Sequence, residues 1–115
     1  MKKAALILAL LGILMLGTLS AKDTNALESI EINPNPMSKH TDVTLVFSQC
    51  DNISVTVQTA VGQVVKTLYT GQAQEYMVLG WNREGDDGSF TPSGSYYVVV
   101  TQGRYTSTKK TLILK

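Results

Sequence analysis

Cysteine, histidine and tryptophan are almost missing from this sequence, with one of each among its 115 residues. A lone Cys50 excludes an internal disulfide framework and a zinc site built from several cysteines. Charge is also scarce: 17% of the residues are charged and the net charge is +1, so bulk charge predicts neither a nucleic-acid nor an anionic-surface partner. With 43% apolar residues, the chain is long enough for one globular domain and too short for two.

The one long apolar run lies at the N terminus. Lys2 and Lys3 precede residues 4–19, which carry no charge, and small residues follow up to Ala21. A helix over residues 4–19 would span about 24 Å, less than a hydrocarbon core of about 30 Å, so a secretory signal peptide is favoured over a membrane span. We predict a signal peptide over residues 1–21 and a polar leader over 22–29. The protein is then secreted, periplasmic or on the surface of a Gram-negative-type bacterium.

Export also sets the expectation for Cys50. In an oxidising compartment a lone cysteine has no internal partner, and we expect a partly buried thiol that acts as a small apolar residue, with intermolecular pairing as the alternative.

Without Lys2 and Lys3 the chain has eight basic and nine acidic side chains, a net charge of −1. We therefore expect no partner that is selected by bulk charge.

After the leader, apolar residues recur at every second position, which is the pattern of half-buried β-strands. Val43, Leu45 and Phe47 show it clearly, and no segment has a convincing helical period. Seven strands are predicted, near residues 29–33, 42–49, 52–59, 63–69, 75–82, 94–102 and 104–114. They predict an all-β domain over residues 30–115: an immunoglobulin-like antiparallel β-sandwich, with a small closed barrel as the alternative.

Residues with special backbone or packing properties separate the strands. Pro34 and Pro36 suit a lead-in or a sheet edge because proline has no N–H to donate. Gly62 is expected in a hairpin turn, and Trp81, which ends an alternating strand, is expected in the core. A further break is expected at residues 71–72. The residues expected to define the fold are Pro34, Pro36, Gly62, Trp81, Gly88, Gly94 and Tyr96.

Three blocks of sequence carry a resemblance when they are taken in order. They are residues 32–36 (Ile-Asn-Pro-Asn-Pro), residues 53–68, and residues 81–96, from Trp81-Asn82 to Ser95-Tyr96; a weaker fourth is the ending at residues 109–115. Together they resemble the immunoglobulin-like domain of the flagellar hook-capping protein and, more closely, the C-terminal sorting domain of type IX secretion cargo. The resemblance covers residues 30–115. It departs at residues 58–59, usually an aromatic and an acidic residue, and at residues 81–83, commonly Trp-Asp-Gly.

The resemblance implies an exported, non-catalytic interaction module without a cofactor. Its partners would be proteins, either secretion machinery or copies of itself, and the outer-membrane machinery would read the terminal strand. The residues implied are Lys109, Lys110, Thr111, Leu112, Ile113, Leu114 and Lys115. Only residues 22–29 separate the predicted signal peptide from the domain, which leaves no cargo. The alternative is a structural subunit of an extracellular fibre whose leader adds to a neighbour's open sheet edge.

Few residues point to chemistry. A hydrolytic triad can be drawn around His40 and Asp42, but no nucleophile motif accompanies them, so we expect an exposed loop histidine. Glu84, Asp86 and Asp87 form the one carboxylate cluster, and we interpret it as a solvated turn rather than a Ca²⁺ site because the ligand spacing is wrong. We interpret the five tyrosines as sandwich rim and cross-strand residues rather than as a sugar-binding platform. They are Tyr69, Tyr76, Tyr96, Tyr97 and Tyr105.

Overall fold

The computed structural model describes residues 26–103 and 106–115, and the predicted signal peptide lies outside these described residues. The strands are β1 (Leu27–Asn33), β2 (Thr41–Phe47), β3 (Asn52–Gln58), β4 (Val64–Gln72), β5 (Tyr76–Trp81), β6 (Gly94–Gln102) and β7 (Thr106–Leu114). Over the described residues no α-helix is present. The same part of the chain contains no helix with the length and apolarity to cross a membrane.

Two antiparallel sheets make up the fold. One has the strand order β1-β2-β5 and the other β4-β3-β6-β7. The hairpins β1–β2, β3–β4 and β6–β7 each lie within one sheet, whereas the chain changes sheet three times: between β2 and β3, between β4 and β5, and between β5 and β6. This arrangement confirms the predicted immunoglobulin-like sandwich. Within the described residues, no strand of one sheet pairs with a strand of the other, so the barrel alternative is wrong.

The core lies between the sheets because one side of each alternating strand faces inward. Val43 and Leu45 of β2 are fully buried, as are Val55 and Val57 of β3. Burying one such side chain contributes about 1.5–3 kcal/mol, so the alternation itself supplies most of the driving force for pairing the layers. Trp81, 2% exposed, is the largest side chain in this core, as predicted.

The start of β1 differs from the predicted strand. β1 begins at Leu27, so the last three residues of the predicted polar leader belong to the sheet. Leu27 is buried and pairs with Phe47, and an irregularity in register between Leu27 and Ser29 shifts the alternation by one residue. That β-bulge hides the strand period from a pattern search.

The break predicted at residues 71–72 lies inside β4. Gly71 pairs with Ile53, and a Cβ on this glycine would lie 3.3 Å from the hydroxyl oxygen of Tyr69. The missing side chain lets the Tyr69 phenol lie against the strand, where its hydroxyl donates to the carbonyl of Gln72 at 2.6 Å. This glycine therefore accommodates a neighbouring ring instead of ending a strand.

Candidate functional site

The C-terminal strand β7 has two different halves. Leu112 and Leu114 are 0% and 2% exposed and belong to the core, whereas Lys109 and Lys110 are exposed. Thr111 and Lys115 are also exposed, and Ile113 is half-buried. The residues that the resemblance implies for sorting therefore divide into two groups: those that hold the sandwich together and those whose side chains are available to a partner.

The second half of β7 is held at its outer edge by the segment that follows β1. The side-chain amide of Asn35 donates to the carbonyl of Thr111 at 2.9 Å, and its side-chain oxygen accepts the N–H of Ile113 at 3.0 Å. Next to it, the Met37 N–H donates to Ile113 and the Met37 carbonyl accepts from Lys115, at 2.8 and 2.9 Å. We call Asn35 and Met37 together the edge clamp.

The edge clamp gives a structural role to the Ile-Asn-Pro-Asn-Pro block. Both Asn-Pro bonds, before Pro34 and before Pro36, are cis. The block turns the chain away from β1 and brings it beside β7, where Met37 forms an isolated parallel bridge to Leu114. The sequence predicts the prolines at a lead-in or a sheet edge, and it gives no sign that the Asn35 side chain bonds to β7.

The first half of β7 has no such partner among residues 26–103 and 106–115. The β6–β7 register runs without interruption from Gly94–Leu114 to Gln102–Thr106. Outward and inward backbone groups alternate along an antiparallel strand. Because the groups of Ile113 point outward to the edge clamp, those of Lys109 and Ser107 point outward as well, and no described residue pairs with them.

The loop after β5 is built around Trp81 and Arg83. The Trp81 indole N–H donates to the carbonyl of Glu84 at 2.9 Å, which satisfies the one polar atom of the core residue. Arg83 is 4% exposed although it carries a full charge. Its Nε donates to the Thr91 carbonyl at 2.8 Å, and one terminal nitrogen donates to the Ser38 carbonyl at 2.7 Å.

Arg83 thereby connects three separate segments of the chain. A further bond, at 3.2 Å, reaches the Ser93 hydroxyl, and the guanidinium lies 4.6 Å from the centre of the Phe90 ring. The φ angle of Arg83 is 75°, a value that favours glycine. The position where the resembled family commonly has glycine thus keeps the backbone conformation that glycine favours, and here it carries a buried guanidinium.

The carboxylates of this loop are bonded to the chain itself. Both oxygens of Asp86 accept the Thr67 N–H at 3.2 Å, and the Asp86 N–H donates to the Val65 carbonyl at 2.9 Å, so the loop covers part of the β4 edge. Asp87 accepts from the hydroxyl and the N–H of Ser89 at 2.6 and 2.9 Å. These bonds lower the pKa of Asp87, the hydroxyl bond most. The described residues contain no group of acidic, histidine or cysteine side chains placed to hold a metal ion.

A groove of about 400 Å³ lies between the β3–β4 hairpin and this loop. Gly62, at the hairpin turn, has a φ of 87°, as its predicted place requires. Tyr96 lines the groove, and its hydroxyl donates to the Pro92 carbonyl at 2.8 Å, across the turn that leads into β6. The groove lining includes no histidine, cysteine or lysine.

His40 and Asp42 do pair, at 2.9 Å between Nε2 and a carboxylate oxygen, and both side chains are about half exposed. The ring lies over Gly80, where a Cβ would lie 3.0 Å from His40 Cε1. Within the described residues, no serine or cysteine is hydrogen-bonded to this ring. A base and its orienter without a nucleophile do not make a hydrolytic triad.

The tyrosines among the described residues do not form a common platform. Tyr76 and Val78 lie on the outer face of the β1-β2-β5 sheet, 64% and 50% exposed. Tyr97 lies on the outer face of the other sheet, 5.8 Å from the Lys109 ammonium, and Tyr96 is buried. Tyr105 lies outside the described residues.

Cys50 is exposed, so the expectation of a partly buried thiol is wrong. The residue lies where the chain crosses from β2 to β3, and such crossings run over the surface of the molecule. Its carbonyl accepts a bond from Gln72 Nε2 at 3.1 Å, but its thiol has no cysteine partner, since the sequence has no second one.

The fold and these surfaces define a small immunoglobulin-like domain. The chain belongs to the FlgD Ig-like domain family, which matches residues 31–106. Among curated proteins, none matches it.

Two solved structures share the fold. Dimeric latent PorU from Porphyromonas gingivalis overlaps 84% of this chain and 10% of that protein, with a TM-score of 0.63 and 15% identity. PorZ, described as an essential bacterial surface component of the type-IX secretion system of Porphyromonas gingivalis, overlaps 76% of this chain and 12% of that protein, with a TM-score of 0.51 and 22% identity. The chain thus corresponds to a small part of each protein, and at these identities the likeness shows the fold.

Proposed function

We propose that this protein is an exported, non-catalytic interaction module that docks onto type IX secretion machinery at the bacterial cell surface. The observation that carries the proposal is the family match over residues 31–106, together with the same fold inside PorZ, a named component of that system. The groove and the half-exposed His40–Asp42 pair offer surfaces for binding rather than a reaction centre.

The exposed half of β7 is the docking surface in this proposal. Lys109 and Lys110 place two cations on an edge strand whose outward backbone groups are open. The buried half, with Leu112 and Leu114, fixes this strand in the sandwich. A partner that reads the terminal strand would therefore contact the lysines and the strand edge, and the two leucines would act only through the fold.

Deleting the last seven residues does not test this proposal, because it removes core side chains together with the surface. Removing one buried leucine side chain costs about 2–5 kcal/mol. The sharper variant is Lys109→Ala with Lys110→Ala, compared with Lys39→Ala with Lys66→Ala, which removes two cations elsewhere. Both are expected to fold, which circular dichroism checks.

The readout is the amount of protein at the surface of a bacterium that has type IX machinery, measured by protease accessibility on whole cells. The β7 variant should accumulate in the periplasm while the control reaches the surface. Equal surface delivery of both variants would reject the proposal.

The alternative of a fibre subunit built by its leader is constrained by β1. Ser29 pairs with Val46 and Leu27 with Phe47 of the same chain, so these leader residues already complete their own sheet. Ala26 is also tied down, since its carbonyl accepts from the Ser48 N–H at 2.8 Å. These bonds keep the residues in their own sheet and give no support to their exchange into a neighbour's sheet.

A further inference from the structure

The sandwich has two edge strands on one side, β1 in one sheet and β7 in the other. They run in the same direction. At one end the Ala26 N–H, just before β1, donates to the Gln102 side chain, and Gln102 pairs with Thr106 at the start of β7. At the other end Asn35, just after β1, binds Thr111 near the end of β7.

The two edges carry opposite charge. β1 bears Glu28 and Glu31, both exposed, and the open half of β7 bears Lys109 and Lys110, both exposed. A groove of about 320 Å³ lies between them and includes Glu31 and Lys110 in its lining. No ion pair within 4.0 Å joins these two side chains, so their charges face solvent across an open groove.

The lysines restrict which strand can pair with β7. Lysine on an edge strand opposes pairing with neutral or basic strands, and like charges placed directly opposite are destabilising. A symmetric β7–β7 pairing between two copies would bring Lys109 of each copy close to the other. An acidic strand avoids this repulsion, and β1 is an edge strand that carries Glu28 and Glu31.

We propose that this side of the sandwich is a self-association surface on which β1 of one copy pairs with β7 of a second copy. Because β1 and β7 are parallel neighbours, a two-fold rotation about an axis along the strands places each β1 beside the other copy's β7. Both pairings form at once and close the dimer. The edge clamp limits pairing to the first half of β7, so residues 28–31 face residues 106–110.

The proposal does not depend on a role in secretion. It uses only the open backbone groups of Ser107 and Lys109 and the opposite charges of the two edges. The partner is a second copy of this chain, and the contacts are main-chain hydrogen bonds supplemented by cross-strand ion pairs.

Charge exchange tests the pairing. One variant carries Glu28→Lys and Glu31→Lys, so that both edges are basic; the other carries Lys109→Glu and Lys110→Glu, so that both are acidic. Each is measured alone and in an equal mixture by sedimentation equilibrium, with protein purified after export. Glu75→Lys and Lys39→Glu, exposed charges elsewhere, serve as controls, and circular dichroism checks folding.

The unaltered protein should dimerise, each variant alone should dimerise at least about tenfold more weakly, and the mixture should form heterodimers. The controls should behave as the unaltered protein. A monomer at every concentration up to about 1 mM, variants that dimerise like the unaltered protein, or a mixture that stays monomeric would each overturn the proposal.

Discussion

The side-chain oxygen of Asn35 accepts the backbone N–H of Ile113 at 3.0 Å, across 78 positions of sequence. The same side chain donates to the Thr111 carbonyl, so one side-chain amide makes two hydrogen bonds of the kind that a neighbouring strand would make. In the Ile-Asn-Pro-Asn-Pro block, the second asparagine, Asn35, is thus bonded to the last strand, β7. This bond links the segment that follows β1 to β7, the last strand of the other sheet.

Replacing Asn35 tests this link. Asn35→Ala removes both bonds, and we expect a loss of about 1–3 kcal/mol in the free energy of unfolding, because each bond contributes about 0.5–1.5 kcal/mol. Asn35→Asp keeps the acceptor for Ile113 and loses the donor to Thr111, so it should fall between. Urea denaturation measures the loss, and hydrogen exchange should speed up at the Ile113 amide.

Asn33→Ala is the matched control, since Asn33 lies on β1 and makes neither bond. Hydrogen exchange at Ile113 that is as slow in Asn35→Ala as in the unaltered protein would mean that the edge clamp does not hold β7.

The architecture was predictable because strand alternation is a local property. Val43, Leu45 and Phe47 show in the sequence which side faces the core, and the structure buries all three. The bulge near Glu28 was not predictable, since it shifts the alternation by one residue. An irregular leader and a strand with a bulge look the same in a single sequence.

The site was less accessible to sequence reasoning because its bonds join distant residues. Arg83 reaches Ser38, 45 positions away, and in the sequence it appeared only as a departure from a family pattern. Asn82 was the one local signal: its side-chain oxygen accepts the Glu84 N–H at 3.1 Å, a bond that an aspartate in the family pattern makes equally well. A polar side chain that donates to carbonyls far away in the sequence does not change the hydrophobic pattern around it, so the sequence pattern does not reveal the bond.

Asp87 provides a prediction about pH. The Ser89 hydroxyl, and then the Ser89 N–H, lower the pKa of Asp87 by stabilising its charged form. This stabilisation of the fold is present above the ordinary pKa of an aspartate and is lost as the pH falls through the lowered value. Ser89→Ala removes the larger cause, so the pKa of Asp87 should rise towards its ordinary value, as followed by NMR titration of the carboxyl carbon.

Ser107→Ala, a serine replacement on β7, is the control for that titration and should leave the pKa of Asp87 unchanged. If Ser89→Ala also left it unchanged, the hydroxyl would not be the main cause of the lowered pKa.

The exposure of Cys50 predicts rapid reaction in the native state. A water-soluble maleimide should label the folded protein to completion, because no packing protects the thiol. Mass spectrometry of samples with and without denaturant measures the extent, and Cys50→Ser gives the background. Labelling that requires denaturant would show that the thiol is shielded.

Arg83 has two opposite effects on the free energy of unfolding: its side-chain hydrogen bonds stabilise the fold, and its positive φ destabilises it. Arg83→Ala leaves the carbonyls of Ser38 and Thr91 without their side-chain donor while the backbone keeps a φ that alanine disfavours. Since bonds to a charged group contribute about 1.5–3 kcal/mol each, we expect a loss of about 3 kcal/mol or more in the free energy of unfolding. Arg83→Gly loses the same bonds but adopts this φ freely, so it should be more stable than Arg83→Ala by about 1 kcal/mol. Urea denaturation of both variants beside Lys39→Ala measures the two effects, and a glycine variant less stable than the alanine variant would contradict the assignment of backbone strain at this residue.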